Sequence, residues 1–124
     1  MQVEIENQND VCILRLKGRL VMATDVEYLR LRGQEIKMRN YRKLLVDLSD
    51  VSSIGSTVIG FVVDLYTSTI RNADGRFMLA GANSRVLEVL DLTRLSTLIP
   101  LAANTESGLA ALRGASPVAL TASR

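Results

Sequence analysis

Apolar and polar positions alternate through Val11 to Lys17, and a shorter alternating run covers Val3 to Glu6. The cluster Asn7-Gln8-Asn9-Asp10 separates them with residues that favour turns. This pattern predicts a β-hairpin that ends at Gly18. The period then changes. At 100° per residue, Val26, Leu29, Gly33 and Ile36 share one stripe, which predicts a helix from Thr24 to about Asn40 with that stripe against a sheet. Thr24-Asp25-Val26-Glu27 has the form of a capping box. Leu31 and Met38 fall on the opposite face and are expected to be exposed, either as scattered apolar residues or as the seed of a partner surface.

Lys43 to Ser49 is apolar on both faces in its middle, as in an interior strand covered on both sides. Ser56 to Asn72 is rich in Val, Ile and Thr, which lowers helix propensity. Its periodicity nevertheless favours a helix. Val58, Phe61, Val62, Leu65 and Thr69 form one stripe, and Gly60, Asp64 and Thr67 collect on the far side. A strand of that length would be abnormal. A turn at Asn72 to Gly75, a strand at Arg76 to Ala80 and a short helix capped by Asn83 follow. A short strand at Leu98 to Leu101 comes next, then a last helix from Asn104 or Thr105 to Arg113 with Leu109 and Leu112 inward. The fold class expected is a single α/β domain. Its four- to five-stranded, mixed, mostly parallel sheet follows an N-terminal hairpin, with helices mainly on one face.

The chain's 124 residues suit one domain, residues 1–113, with 114–124 expected as a disordered tail. Hydrophobic residues at 48% and charged residues at 23% fit a globular chain. The N-terminus lacks the apolar core of a signal peptide, and no run is long enough to span a membrane. A soluble, cytoplasmic protein without direct membrane insertion is expected. The single cysteine, Cys12, reads as a buried small hydrophobe, with a reactive thiol as the alternative. Net charge is +2, and Arg30, Arg32, Lys37, Arg39, Arg42 and Lys43 crowd one stretch. That stretch reads as a solvated face or as a contact for an acidic protein. Nucleic acid is not expected, since no aromatic stacking platform accompanies the charge.

The chemical inventory is sparse. There is no histidine, and one cysteine cannot make a thiolate metal site. Gly-rich phosphate cradles are absent. Asp47 and Asp50 could be imagined as paired carboxylates, but such residues more often cap loops. No catalytic, metal or cofactor-binding residue is therefore assigned, and the chain reads as a binding protein and not an enzyme. What stands out is the hydroxyl-rich loop Ser52-Ser53-Ile54-Gly55-Ser56-Thr57. It leads from the carboxyl end of an interior strand, where partners tend to bind in open sheets, into a helix N-terminus. Its hydroxyls read either as plain helix caps or as a regulatory site where a phosphate would be tolerated.

The stretch Leu44-Leu45-Val46-Asp47-Leu48-Ser49-Asp50-Val51-Ser52-Ser53-Ile54-Gly55-Ser56-Thr57-Val58-Ile59-Gly60 resembles the signature of STAS domains, the anti-sigma-factor-antagonist family. There a strand ending in Asp-Leu-Ser leads through a Ser-rich turn to a helix. Gly18-Arg19-Leu20 with Ala23-Thr24, Gly75-Arg76, Val89 to Thr93 and Leu98-Ile99-Pro100 match further, so the resemblance spans roughly residues 3–113. It implies a partner-switching module that docks on an anti-sigma factor that is also a Ser/Thr kinase. Phosphorylation at the start of the second helix then ends the docking. The acceptor implied is Thr57, with Ser56 beside it, and the docking residues implied are Ser53, Ile54, Gly55, Ile59 and Gly60. The chain departs from the pattern with Gly55 where the family usually has Asp, Val21 where an acidic residue often stands, and Val58 in place of Gly. The first two remove negative charge beside the acceptor. An unphosphorylated STAS scaffold or subunit of a stress-signalling or lipid-transport complex, with a homo-oligomer or STAS-scaffold assembly, is the alternative.

Overall fold

The computed structural model describes residues 1–18 and 23–114. Strand β1 (Gln2–Gln8) pairs antiparallel with β2 (Val11–Lys17) across a turn in which Asn9 takes a left-handed backbone, φ 56°. Asparagine tolerates that region better than most residues. Helix α1 (Ala23–Arg39) carries the chain to β3 (Lys43–Asp50), and α2 (Ser56–Ile70) carries it to β4 (Arg76–Ala80). Helix α3 (Ser84–Leu92) and a 3-10 turn at Leu95–Thr97 lead to a two-residue β5 (Leu101–Ala102). Helix α4 (Thr105–Gly114) follows. The sheet order is β1-β2-β3-β4-β5, parallel from β2 onward. This is the expected α/β architecture with a mixed, mostly parallel sheet.

A sheet that grows in one direction through crossovers of one hand must place its crossover helices on one face. Leu29 and Ile36 of α1, Val58, Phe61, Val62 and Leu65 of α2, and Val86 and Leu90 of α3 accordingly pack with Cys12, Leu14, Val46 and Leu79 in one core. Helix α4 covers the other face, seating Leu109 and Leu112 on Val11, Ile13 and Leu45. Gly108 permits that approach, because a Cβ there would stand 2.7 Å from Leu45 Cδ1. Strand β3 is thus covered on both sides, as its continuous apolar run requires. Each fully buried Leu or Val contributes about 1.5–3 kcal/mol, so this strand anchors whatever leaves its ends. Cys12 is sealed in the larger core, and burial pushes its thiol up to about 11. The inert reading of this residue therefore holds.

Four expectations change. Val26 is 45% exposed and lies beyond the sheet-facing stripe that Leu29, Gly33 and Ile36 do form. The capping box is not made. Helix α1 is already running at Ala23, and Glu27 binds Arg30 one turn on, a charged partner stronger than the backbone N–H it was expected to reach. The last strand starts at Leu101 and not at Leu98. Leu98 and Ile99 are held in the 3-10 turn by Leu95 O, and Pro100 has only a carbonyl to give, accepting from Leu79 N at 3.0 Å. Helix α2 stops at Ile70, short of Asn72. Arg19, Leu20 and Val21 of the family pattern, and the expected tail after Gly114, lie outside the described residues.

Candidate partner-docking site

Strand β3 ends in a clamp. Asp47 is buried, its Oδ1 accepting from Ser49 N at 3.0 Å and Ser49 Oγ at 2.6 Å, and its Oδ2 facing Arg15 Nε at 3.5 Å. That environment consumes the carboxylate. It is a structural tie at the strand end, while Asp50 stays exposed. Gly81, at φ +76°, lies so close that a Cβ would approach Ser49 Cβ at 3.0 Å. Among the described residues, no group of three or more His, Cys, Asp or Glu could hold a metal ion.

From this clamp the loop climbs to α2. Val51 is buried and its N–H donates to Leu48 O at 3.0 Å. Ser52 and Ser53 are exposed. Ile54 turns inward into the main core. Its side chain therefore plugs the core and is not presented to a partner, which corrects its place among the implied docking residues. Gly55 is the N-cap, extended at φ −116°, ψ −170°, with no side-chain cap; its carbonyl accepts from Ile59 N at 3.0 Å. Because glycine occupies the cap, Ser56 and Thr57 fall inside the first turn. Both are exposed, and neither hydroxyl makes a hydrogen bond among the described residues. The plain capping reading of these two hydroxyls is thereby removed. Val58 beneath them is buried, Ile59 is half-buried and Gly60 is exposed with open space where a Cβ would go.

Two features escaped the sequence. The first is a groove of about 380 Å³ between α1 and α2, reached by Thr57 and Gly60 and floored by Leu29, Gly33 and Phe61. The ion pair Lys37 Nζ to Asp64 Oδ2, 2.6 Å, bridges the two helices at this groove. Gly33 is the signal for it, since the groove exists where small residues thin the helix contact. The second is Asn83. It was expected to cap α3, and its Oδ1 does accept from Val86 N at 2.9 Å. Its Nδ2 also donates to Val51 O at 3.1 Å and Ser52 O at 3.2 Å, so the cap of one helix holds the loop before another.

Comparison with known proteins agrees with this geometry. The chain is 32% identical over 93 residues, 75% of its length and 81% of the relative's, to a Thermotoga maritima protein described as an anti-sigma factor antagonist. It superposes on the solution structure of protein TM1081, from the same organism, with a TM-score of 0.77 at 26% identity, covering 91% of this chain and 90% of that one. The phosphorylated form of the Bacillus cell-fate determinant SpoIIAA shares the fold, with a TM-score of 0.64 at 17% identity, covering 99% and 100%. The STAS domain family model matches residues 2–108, and the chain belongs to the STAS domain family.

Proposed function

We propose that this chain is a partner-switching regulator of the anti-sigma-factor-antagonist kind, which docks on an anti-sigma factor with Ser/Thr kinase activity through the β3–α2 loop. The observation that carries the reading is the pair of exposed, uncommitted hydroxyls of Ser56 and Thr57 in the first turn of α2, beside an apolar groove. Ser53, Gly55, Ile59 and Gly60 form the surrounding surface, and Ile54 and Val58 support it from below. The kinase belongs to the partner, so this chain supplies no catalytic residue and needs no cofactor. The regulatory unit is residues 1–113, and the cytoplasm is its place of action.

The switch follows from charge. A phosphate adds about −1.5 to −2 charges. Sealing it unpaired in a protein interface costs several kcal/mol, enough to weaken docking by orders of magnitude. The free amides at the start of α2 tolerate the same group when the partner is absent. The test is incubation with the cognate kinase and ATP, followed by phosphopeptide mapping and by binding of Thr57→Glu. Modification at Thr57 or Ser56, with docking lost in Thr57→Glu, is expected. Unmodified protein with docking intact in Thr57→Glu would sink the switch.

That second outcome would favour a constitutive STAS scaffold or complex subunit. One observation speaks for it. Helix α2 has no acidic residue in its first turn, and Gly55 puts no carboxylate beside the acceptor.

A further inference from the structure

The end of the sheet opposite the β3–α2 loop gathers arginines and exposed apolar side chains. We infer that this end is a peripheral docking surface for an anionic lipid bilayer, independent of the docking just proposed. Strands β3 and β4 both begin there, in register at Lys43 and Arg76. Helices α1 and α2 end there, at Arg39 and Ile70. The pieces are tied together: Arg76 N donates to Arg42 O at 2.7 Å, and Asn72 Nδ2 donates to Tyr41 O at 3.2 Å. Arg42, Arg71 and Arg76 are all exposed, and none of them forms an ion pair among the described residues. Lys43 is neutralised by Asp10 at 2.8 Å, and exposed Asp74 in the turn before β4 adds one negative charge near this end.

Cations at helix C-termini complement the helix dipole. That accounts for Arg39 and Arg71. It does not account for Arg42 and Arg76, which stand at strand starts. Nor does it account for Met38, 84% exposed, Ile70, 44% exposed, and Leu98, 53% exposed, which protrude at the same end. Ile70, Arg76 and Leu98 rim one shallow groove. Unpaired guanidinium groups interleaved with single protruding apolar side chains suit a headgroup region, where charge meets lipid phosphate and the apolar tips enter the acyl boundary. The groups come from four separate chain segments spread over one end, as a plane requires. Adsorption here leaves the β3–α2 loop facing away, about 25 Å off by the strand rise of β3. Among the described residues no helix is long and apolar enough to cross a membrane, so the contact is peripheral.

The experiment is co-sedimentation with vesicles of phosphatidylcholine alone or with about 40% phosphatidylglycerol, in about 50 mM salt, where surface charge is weakly screened. Wild-type protein is expected to sediment with the anionic vesicles and to be released by high salt. Each basic side chain near such a surface strengthens adsorption about fivefold. The double variant Arg42→Glu/Arg76→Glu should therefore fall to the level seen with phosphatidylcholine, while its circular dichroism melt matches wild type. Met38→Ser keeps every charge and should bind several-fold more weakly. Wild-type protein that ignores anionic vesicles, or a double variant that sediments like wild type, overturns the proposal. Retention by soluble polyglutamate without vesicle uptake would assign the surface to an acidic protein and overturn it as well. Thr57→Glu should sediment as wild type does, so failure here and failure of the partner switch are told apart.

Discussion

Helices α2, α3 and α4 each follow a parallel strand, yet their entrances are built differently. At α3 and α4 an asparagine closes the first turn: Asn83 accepts from Val86 N at 2.9 Å and Asn104 from Ser107 N at 2.8 Å. At α2 the cap is Gly55, which has no side chain to close anything, and the two hydroxyls after it bond to none of the described residues. The loop before α2 is instead held from outside, by the amide of Asn83. The contrast teaches how a loop can be ordered without using its own side-chain polar groups. The neighbouring entrance supplies the hydrogen bonds, and Ser56 and Thr57 remain available to something else.

The sharpest way to break this arrangement is Asn83→Ala. It removes a cap, which typically costs about 1 kcal/mol, and two hydrogen bonds to loop carbonyls at about 0.5–1.5 kcal/mol each. A total loss of about 2–4 kcal/mol is expected in denaturant unfolding. Asn83→Asp keeps the acceptor and loses the donor, so it should recover roughly the cap's share. If Asp behaves like wild type, the tie to Val51 and Ser52 contributes nothing and the comparison fails.

Gly60→Ala acts in the opposite direction. Gly60 lies inside α2, is exposed, and has nothing within 4 Å of where a Cβ would stand. Alanine there should stabilise the protein by about 0.5–1 kcal/mol through helix propensity. Gly60→Trp would fill the groove that Gly60 lines. Thermal melts that rise for Ala, beside partner docking that disappears for Trp, would separate the stability of α2 from the use of its surface. Unchanged docking in Gly60→Trp removes the groove from the interface.

Much of this was legible in the residues. The stripe Val58, Phe61, Val62, Leu65 and Thr69 is the buried face of α2, because a long helix on a sheet must obey the 3.6-residue period whatever its local propensities. Asn83 could be read as a cap because asparagine before a helical pattern has one dominant local use. Its second role depends on a loop more than thirty positions earlier, and no local pattern encodes that. Thr24 and Glu27 failed for a related reason: the motif was present, but Arg30 offered Glu27 a charged partner. Pro100 displaced the last strand by denying it an N–H. The burial of Ile54 was hidden by its polar neighbours, since one apolar residue in a loop carries no period.

Gly55→Asp tests the glycine cap directly. A Cβ at residue 55 meets nothing within 4 Å, and the backbone there is extended, so the side chain is accommodated. Aspartate could accept from a free first-turn amide, a gain over glycine of a few tenths of a kcal/mol. Its charge would face the positive end of a helix that has no acidic residue in its first turn, adding about 0.3–1 kcal/mol at low salt. A melt that rises at low salt and relaxes toward wild type at high salt is expected. The same substitution restores the carboxylate beside Thr57, so faster modification by the kinase would accompany it if the acid serves recognition.

The smallest effect on stability is expected from Thr57→Ala, and its smallness is the point. Thr57 is exposed, and its hydroxyl bonds to none of the described residues. Substitutions at such positions fall within about 0.5 kcal/mol of neutral, and alanine is the better helix former. Denaturant midpoints of Thr57→Ala and wild type should therefore coincide, whereas Asn83→Ala should move far from both. Phosphate incorporation by the partner kinase should drop sharply in Thr57→Ala, with any remaining signal traced to Ser56. A clear loss of stability in Thr57→Ala would mean that the hydroxyl holds the first turn of α2. The entrance to α2 would then be capped after all, like those of α3 and α4.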